Sequence, residues 1–318
     1  KNEKIIRKLL FELLPVYYLE AQKNLKKIID QQPWPKLPEF IFTSNNFNTD
    51  EAFKLWAATK VEAGTKYYVG QHGGNYYTKK NLFQRIEERT SDKFLTWGWT
   101  NGQKKFVPTF IFKMAGQKKY NYNKNGRLLL IETTQSVRLN TWDTTIEHNK
   151  YFEDQKKFVS TLESTPKKKL IIRLNALFKD RRYYEDSRWY DFDKRITINT
   201  GNKPIRNMIL NSRLVVHSYD STGMLETLSQ NIPTLAFWQN ELDHLRERVK
   251  PLYQILIDAG ILHLSAVSAA NKINEVWNDV DSWWHLEQVQ KARKKFCAKL
   301  IKECKTPVRT LISIINKK

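Results

Sequence analysis

Short apolar runs alternate along this chain with stretches whose apolar residues recur every three or four positions, a pattern that predicts strands and helices in turn. Residues 4–29 have helically spaced apolar positions with Lys and Arg between them, broken at Pro15. This predicts an amphipathic helical segment packed on the domain that follows, with binding to a membrane surface as the alternative. After a linker at Gln31-Gln32-Pro33-Trp34-Pro35, residues 38–47 contain a strand that ends in a polar loop. Thr49 to Glu62 reads as a helix capped by Thr49 or Asp50, Lys66 to Val69 as a strand, and Asn81 to Arg89 as a short helix. Lys93 to Trp99 then leads into Gly102.

A second series follows the polar stretch Gly116 to Gly126. It comprises strand Arg127–Ile131, helix Lys150–Glu163, strands Lys169–Leu174 and Arg195–Asn199, and a helix within Lys203–Ser212. Beyond Trp238 the chain reads as mostly helical, ending in Trp283–Cys304 and Pro307–Asn316. The βαβ order predicts parallel sheets and an α/β fold of two Rossmann-like domains, with a cleft between them and a helical C-terminus. The expected domains are residues 1–125 and 126–318.

The segment Leu214 to Trp238 carries the most chemistry. A strand at Leu214–Val216 runs into the polar turn His217-Ser218-Tyr219-Asp220-Ser221-Thr222-Gly223, then a helix from Met224 to Gln230 and a strand from Thr234 to Trp238. A helix start leaves backbone N–H groups unpaired and carries partial positive charge, so it suits a phosphate at the carboxyl edge of a parallel sheet. The alternative is that Ser221 or Thr222 simply caps the helix.

Composition adds a partner class. Lys and Arg number 54 against 33 Asp and Glu, a net charge of +21, which favours an anionic partner. With no RNA-recognition signature, zinc-finger spacing or basic zipper, nucleic acid is not expected. Cys297 and Cys304 are seven apart in the expected C-terminal helix, about 10 Å along its axis and too far to bridge. The lack of a disulfide framework suits a reducing cytosol. No apolar run reaches the roughly 18 residues of a membrane span, and no stretch reads as a signal peptide, so neither is expected. The chain opens at Lys1 without a Met, as a piece of a longer protein would.

Four segments in order, LLPVYYLEAQKNL, FTSNNFNTDEAFKLWAATKVEAGTKYYVGQHGGNYYT, SDKFLTWGW and LVVHSYDSTGMLETLSQNIPTLAFW, resemble a transferase family of bacterial O-antigen and capsule loci. The family is similar to GT-B glycosyltransferases and related to the retaining β-Kdo transferases. The resemblance covers about residues 10–240. The chain departs from it at Tyr77, where relatives often carry Gly, and at Arg173-Leu174-Asn175, where many carry His or Pro after the strand. The resemblance implies a glycosyltransferase of surface-polysaccharide synthesis with a nucleotide sugar, CMP-Kdo in the β-Kdo branch, as donor substrate and no other cofactor. It implies an anionic or lipid-linked glycan acceptor, and a cytoplasmic location at the inner membrane face with peripheral membrane contact.

Glycosyl transfer needs a cradle for the departing phosphate, stabilisation of an oxocarbenium-like centre, and a group for the acceptor's hydroxyl proton. The N–H groups of Ser221, Thr222 and Gly223 and the fork of Arg173 are the candidates for phosphate, with Asn175 and His217 beside them. Glu226 is placed to meet a ribose hydroxyl, or to complete a capping box. In Gln71-His72-Gly73-Gly74 the glycines allow close approach of a substrate, and His72 can take a hydroxyl proton or serve only as a hydrogen-bonding side chain. Two-step retention requires a carboxylate nucleophile; Glu132, Asp143 and Asp220 are candidates that spacing does not separate. No Asp-x-Asp pair suggests a metal. The rival readings are a polyol-phosphate or other sugar-phosphate transferase, and a glycan-binding protein without catalysis.

Overall fold

A computed structural model describes residues 2–80, 85–116, 121–134, 148–181, 183–239 and 241–316. The chain forms two compact units, Lys1–His72 with Gln84–Thr96 and Thr100–Pro108, and Gly73–Phe83 with Trp97–Trp99 and Thr109–Lys318. The sequence suggested a single boundary at 125/126. Instead the segments around Tyr77 and Trp97 pack within the second unit, where the rings of Tyr77 and Trp99 stack 5.0 Å apart.

The first unit opens with α1 (Asn2–Leu13), a 3-10 turn and α2 (Gln22–Asp30). Pro15 caps the 3-10 turn, where a missing N–H costs nothing. The expected packing of residues 4–29 on the domain holds for α2, which buries Leu25, and not for α1, whose described side chains are exposed throughout. Then come β1 (Phe40–Thr43), α3 (Glu51–Glu62), β2 (Lys66–Gly70), α4 (Ile86–Thr90), β3 (Lys93–Thr96) and β4 (Phe106–Pro108). Of the alternative caps of α3, Asp50 is the one used: its side chain accepts from Phe53 N at 2.9 Å. The strands form one parallel sheet in the order β1-β2-β3-β4.

The second unit contains β5 (Arg127–Ile131), α5 (His148–Thr161), α6 (Ser164–Lys168), β6 (Leu170–Arg173), α7 (Leu177–Arg181), α8 (Glu185–Phe192) and β7 (Thr197–Asn199). It continues through α9 (Ile205–Leu210), β8 (Ser212–His217), α10 (Thr222–Ser229), β9 (Thr234–Phe237), α11 (Lys250–Asp258), β10 (Leu262–His263) and α12 (Ala266–Val276). Helices α13 (Val280–His285), α14 (Glu287–Leu300) and α15 (Pro307–Ile315) complete it. Its parallel sheet runs β10-β9-β8-β5-β6-β7. The near-continuous apolar strands follow from burial on both faces: Leu128, Leu130, Val215, Val216 and Leu235 are essentially inaccessible. On one face Phe158 of α5 stacks on Phe237 of β9 at 5.0 Å.

The expected single helix from Trp283 to Cys304 breaks at Leu286 (ψ 138°) and ends at Leu300, so Cys304 lies beyond it. Within its basic run Arg293 is buried, donating to Leu228 O at 2.9 Å at the end of α10, while Lys291, Lys294, Lys295 and Lys299 face solvent.

Gly126 fixes the entry to β5. A Cβ there would stand 2.4 Å from Asn211 O, 2.8 Å from Asn123 O and 2.9 Å from Arg213 N, all backbone atoms. Gly126→Ala should therefore cost about 2–3 kcal/mol, as overpacking that side-chain motion cannot relieve. Chemical denaturation measures it; an unchanged midpoint would contradict the geometry.

A helix start at the switch point of the second sheet

Strand order in the second unit reverses direction between β5 and β8: β6 and β7 extend to one side, β9 and β10 to the other. In open parallel sheets the carboxyl ends of strands at such a switch point splay apart and form a crevice. Glu132 and Thr133 follow β5 there, and the turn Ser218 to Ser221 follows β8 and leads into α10.

The start of α10 is built by a closed circuit of hydrogen bonds. Met224 N donates to Ser221 Oγ (2.9 Å), and Ser221 Oγ meets His217 Nδ1 (3.2 Å). His217 Nε2 meets Thr227 Oγ1 (3.3 Å), which donates to Met224 O (3.0 Å). One assignment satisfies every member: Ser221 donates to Nδ1, and Nε2–H donates to Thr227. That requires a neutral imidazole, and burial pushes His217 down to about 3. His217 and the Ser221 hydroxyl are thus enclosed supports of the helix start: the imidazole faces Ser221 and Thr227 rather than a ligand, and of the two caps the sequence offered the Ser221 hydroxyl is the one used.

What remains open is backbone. Leu225 N bonds to Ser221 O at 3.5 Å, while the amides of Thr222 and Gly223 have no acceptor among the described residues. Both residues are partly exposed. Gly223 matters because a Cβ would come within 3.1 Å of His217 Cε1.

Gly73 and Gly74 come to this same place. Gly74 N donates to Thr222 Oγ1 at 3.1 Å, and a Cβ on Gly74 would lie 2.6 Å from Leu225 Cδ1. The close approach that Gly74 allows is therefore to α10 itself, whereas a Cβ on Gly73 would meet Thr222 Oγ1 only at 3.7 Å. Gln71 and His72 belong to the first unit: Gln71 is buried beyond β2, with its amide on Leu95 O at 2.9 Å, and His72 is exposed.

Glu226 lies one turn into α10, pairs with Lys113 at 2.8 Å, and borders a cavity of about 130 Å3 with Arg206, Gln230, Ile205 and Ile232. Lys113 and Arg206 were not foreseen, since nothing in their local pattern marks them. A larger cavity, about 580 Å3, opens among Arg127, Lys169, Asn199, Lys203 and Asn207, and holds none of the residues expected at the site.

Other candidates are committed elsewhere. Arg173 donates to the carbonyls of Leu174 (2.7 Å), Gly201 (3.3 Å) and Lys203 (3.4 Å), so its fork clamps the loop after β7. Asn175 Oδ1 accepts from Leu177 N (3.0 Å) and shapes the entry to α7. Asp220 is held by His244 Nε2 at 3.0 Å and faces Tyr253 OH at 3.4 Å, both buried, which aims it into the protein as a strut. Asp143 lies outside the described residues.

Glu132 is the exception. Its carboxyl is buried at the switch point, with Oε2 accepting from Trp189 Nε1 at 3.2 Å and Oε1 without a partner among the described residues. Loss of solvation, reinforced by nearby Glu185, pushes it up to about 8. Beside it Tyr151 OH accepts from Thr133 N (3.0 Å) and meets Ser218 Oγ (2.6 Å), and Ser218 donates to Ile131 O (3.0 Å). Tyr151, Ser218 and Trp189 were missed because each sits in an ordinary apolar or turn pattern.

No curated protein matches the sequence. Among solved structures, a Listeria monocytogenes protein assigned as a UDP-N-acetylglucosamine 2-epimerase superposes with a TM-score of 0.53 at 13% identity, over 92% of this chain and 76% of that one. The S. aureus MnaA–UDP complex gives 0.50 at 11%, over 93% and 77%. MurG of Acinetobacter baumannii gives 0.46 at 11%, over 94% and 78%. At these identities the likeness is one of fold: two parallel α/β units and a helical C-terminus, the GT-B type. The profile of the LIC12162 family transferases matches residues 1–315, and the chain belongs to that family of transferases.

Proposed function

We propose that this transferase is a glycosyltransferase of bacterial surface-polysaccharide synthesis, and that its nucleotide-sugar donor docks its phosphate on the amides of Thr222 and Gly223. The observation that carries this reading is that pair of unmatched amides at the switch point. Peptide dipoles aligned along α10 add partial positive charge where the leaving phosphate gains negative charge, so the phosphate is stabilised without a metal. Glu226, Lys113 and Arg206 line the neighbouring cavity and suit the ribose and base of the same nucleotide. CMP-Kdo is the donor we propose first, from the resemblance of the four sequence segments. UDP and UDP-N-acetylglucosamine, named for the two structural likenesses, are the alternatives to screen.

A Glu132 that is neutral at pH 7 is poorly suited as the ionised nucleophile of a two-step reaction. In our reading it acts as a proton-holding group that keeps the switch point intact, with Oε2 ordered by Trp189.

Release of CMP should require both CMP-Kdo and an acceptor glycan. Conversion of UDP-N-acetylglucosamine with no acceptor would replace transfer with epimerisation. Thr222→Pro keeps the helix, because Pro fits the first helical position after the extended Ser221, and it deletes one amide donor. Titration calorimetry should show donor affinity weakened about tenfold or more, the scale of one hydrogen bond to a charged group. Thr222→Val, which keeps the amide, separates the effect of the hydroxyl, and equal affinity in Thr222→Pro and the parent would refute the docking site.

The Glu132 proton has a second consequence. The folded carboxyl, near 8, keeps a proton that the unfolded chain releases near 4.5. Its contribution to stability is therefore complete below about 4.5 and is lost progressively as pH rises toward about 8. Denaturation at a series of pH values should show this decline, and Glu132→Gln should flatten it. Parallel pH profiles for parent and variant would rule out a buried, protonated Glu132.

A further inference from the structure

Helix α1 presents an apolar arc that nothing among the described residues covers. At about 100° per residue, Ile5, Leu9, Leu13, Ile6 and Leu10 share an arc of roughly 140°. Every described side chain from Glu3 to Tyr18 is exposed; Ile5 is 54%, Ile6 59% and Leu13 74% accessible. A helix of this kind in water is expected to bury that arc against something. No helix among the described residues is long and apolar enough to cross a membrane, and α1, with 12 residues, spans about 18 Å. It is too short to cross a bilayer but long enough to lie in its surface.

Charge complementarity identifies the occupant. Lys4 and Lys8 stand on the opposite arc, together with Phe11, which is 75% accessible, and Arg7, which pairs with Glu3 at 2.8 Å; the exposed Lys23, Lys26 and Lys27 follow on α2. The arc is wider than the two-position seam of a coiled-coil partner, and the chain as a whole carries +21. A broad exposed apolar arc flanked by Lys side chains is the pattern of helices that lie among lipid headgroups. We propose that α1 binds in the plane of an anionic bilayer surface, with Ile5, Ile6, Leu9, Leu10 and Leu13 among the upper acyl chains and Lys4 and Lys8 at the headgroup phosphates.

The inference does not depend on the donor assignment, and its test uses no turnover. Flotation is run with phosphatidylcholine vesicles, with and without phosphatidylglycerol. The parent should rise with the phosphatidylglycerol vesicles. Leu9→Gln with Leu13→Gln leaves the charge unchanged, so it separates insertion from simple attraction of a basic protein. It should partition at least about tenfold more weakly, with an unaltered circular-dichroism melt. The same double change at Val308 and Ile312, exposed on α15, should leave partition unchanged. Failure of the parent to float, or equal flotation of the Leu9/Leu13 variant, overturns the proposal. So does sedimentation showing that the parent self-associates through this arc and the variant does not.

Discussion

One neutral imidazole organises the functional end of the second unit. His217 is fully buried, and it closes the circuit that runs from Met224 N through Ser221 and Thr227 back to Met224 O. The circuit consumes the polar atoms behind the helix start and leaves the two amides in front of it. A charged ring would need to donate from Nδ1, where Ser221 already donates, so the arrangement holds only while burial keeps the ring neutral. The helix start is thus fixed from behind, which lets it offer pre-oriented donors with little ordering cost.

The surrounding polar residues share that supporting character. Arg173 ties down the loop after β7, Arg293 satisfies a carbonyl at the far end of α10, and the Asp220–His244 pair braces the turn. Gly74 packs so closely on Leu225 that a side chain would have to displace it. Side chains that look like ligands in the sequence hold the turn in shape, and the backbone carries the proposed binding surface. This is the division of labour expected where a phosphate is recognised by helix amides.

Much of the fold was legible because parallel, doubly covered strands produce continuous apolar runs: Arg127–Ile131 was read with its observed boundaries. Phe106–Pro108 and Leu262–His263 escaped, being edge strands of three and two residues that bury too little to leave a pattern. The break at Leu286 escaped because helical spacing continues through it. At the site, the Ser-Thr-Gly signal located the helix start, since capping and glycine chemistry are local. Roles set by distant partners were illegible. Arg173 at a strand end reads the same whether its fork meets a phosphate or the carbonyls of Gly201 and Lys203. Lys113 and Arg206 reach the cavity beside Glu226 only through folding.

The account stands on backbone donors at the head of α10 receiving the donor's phosphate. Amide-resolved NMR of the 15N-labelled chain during titration with CMP and UDP observes those donors directly. The account predicts that the Thr222 and Gly223 amide protons move strongly downfield on saturation, as for N–H groups bonding to phosphate oxygens. Saturable nucleotide binding that leaves both resonances in place, and shifts residues elsewhere in the second unit, would contradict it.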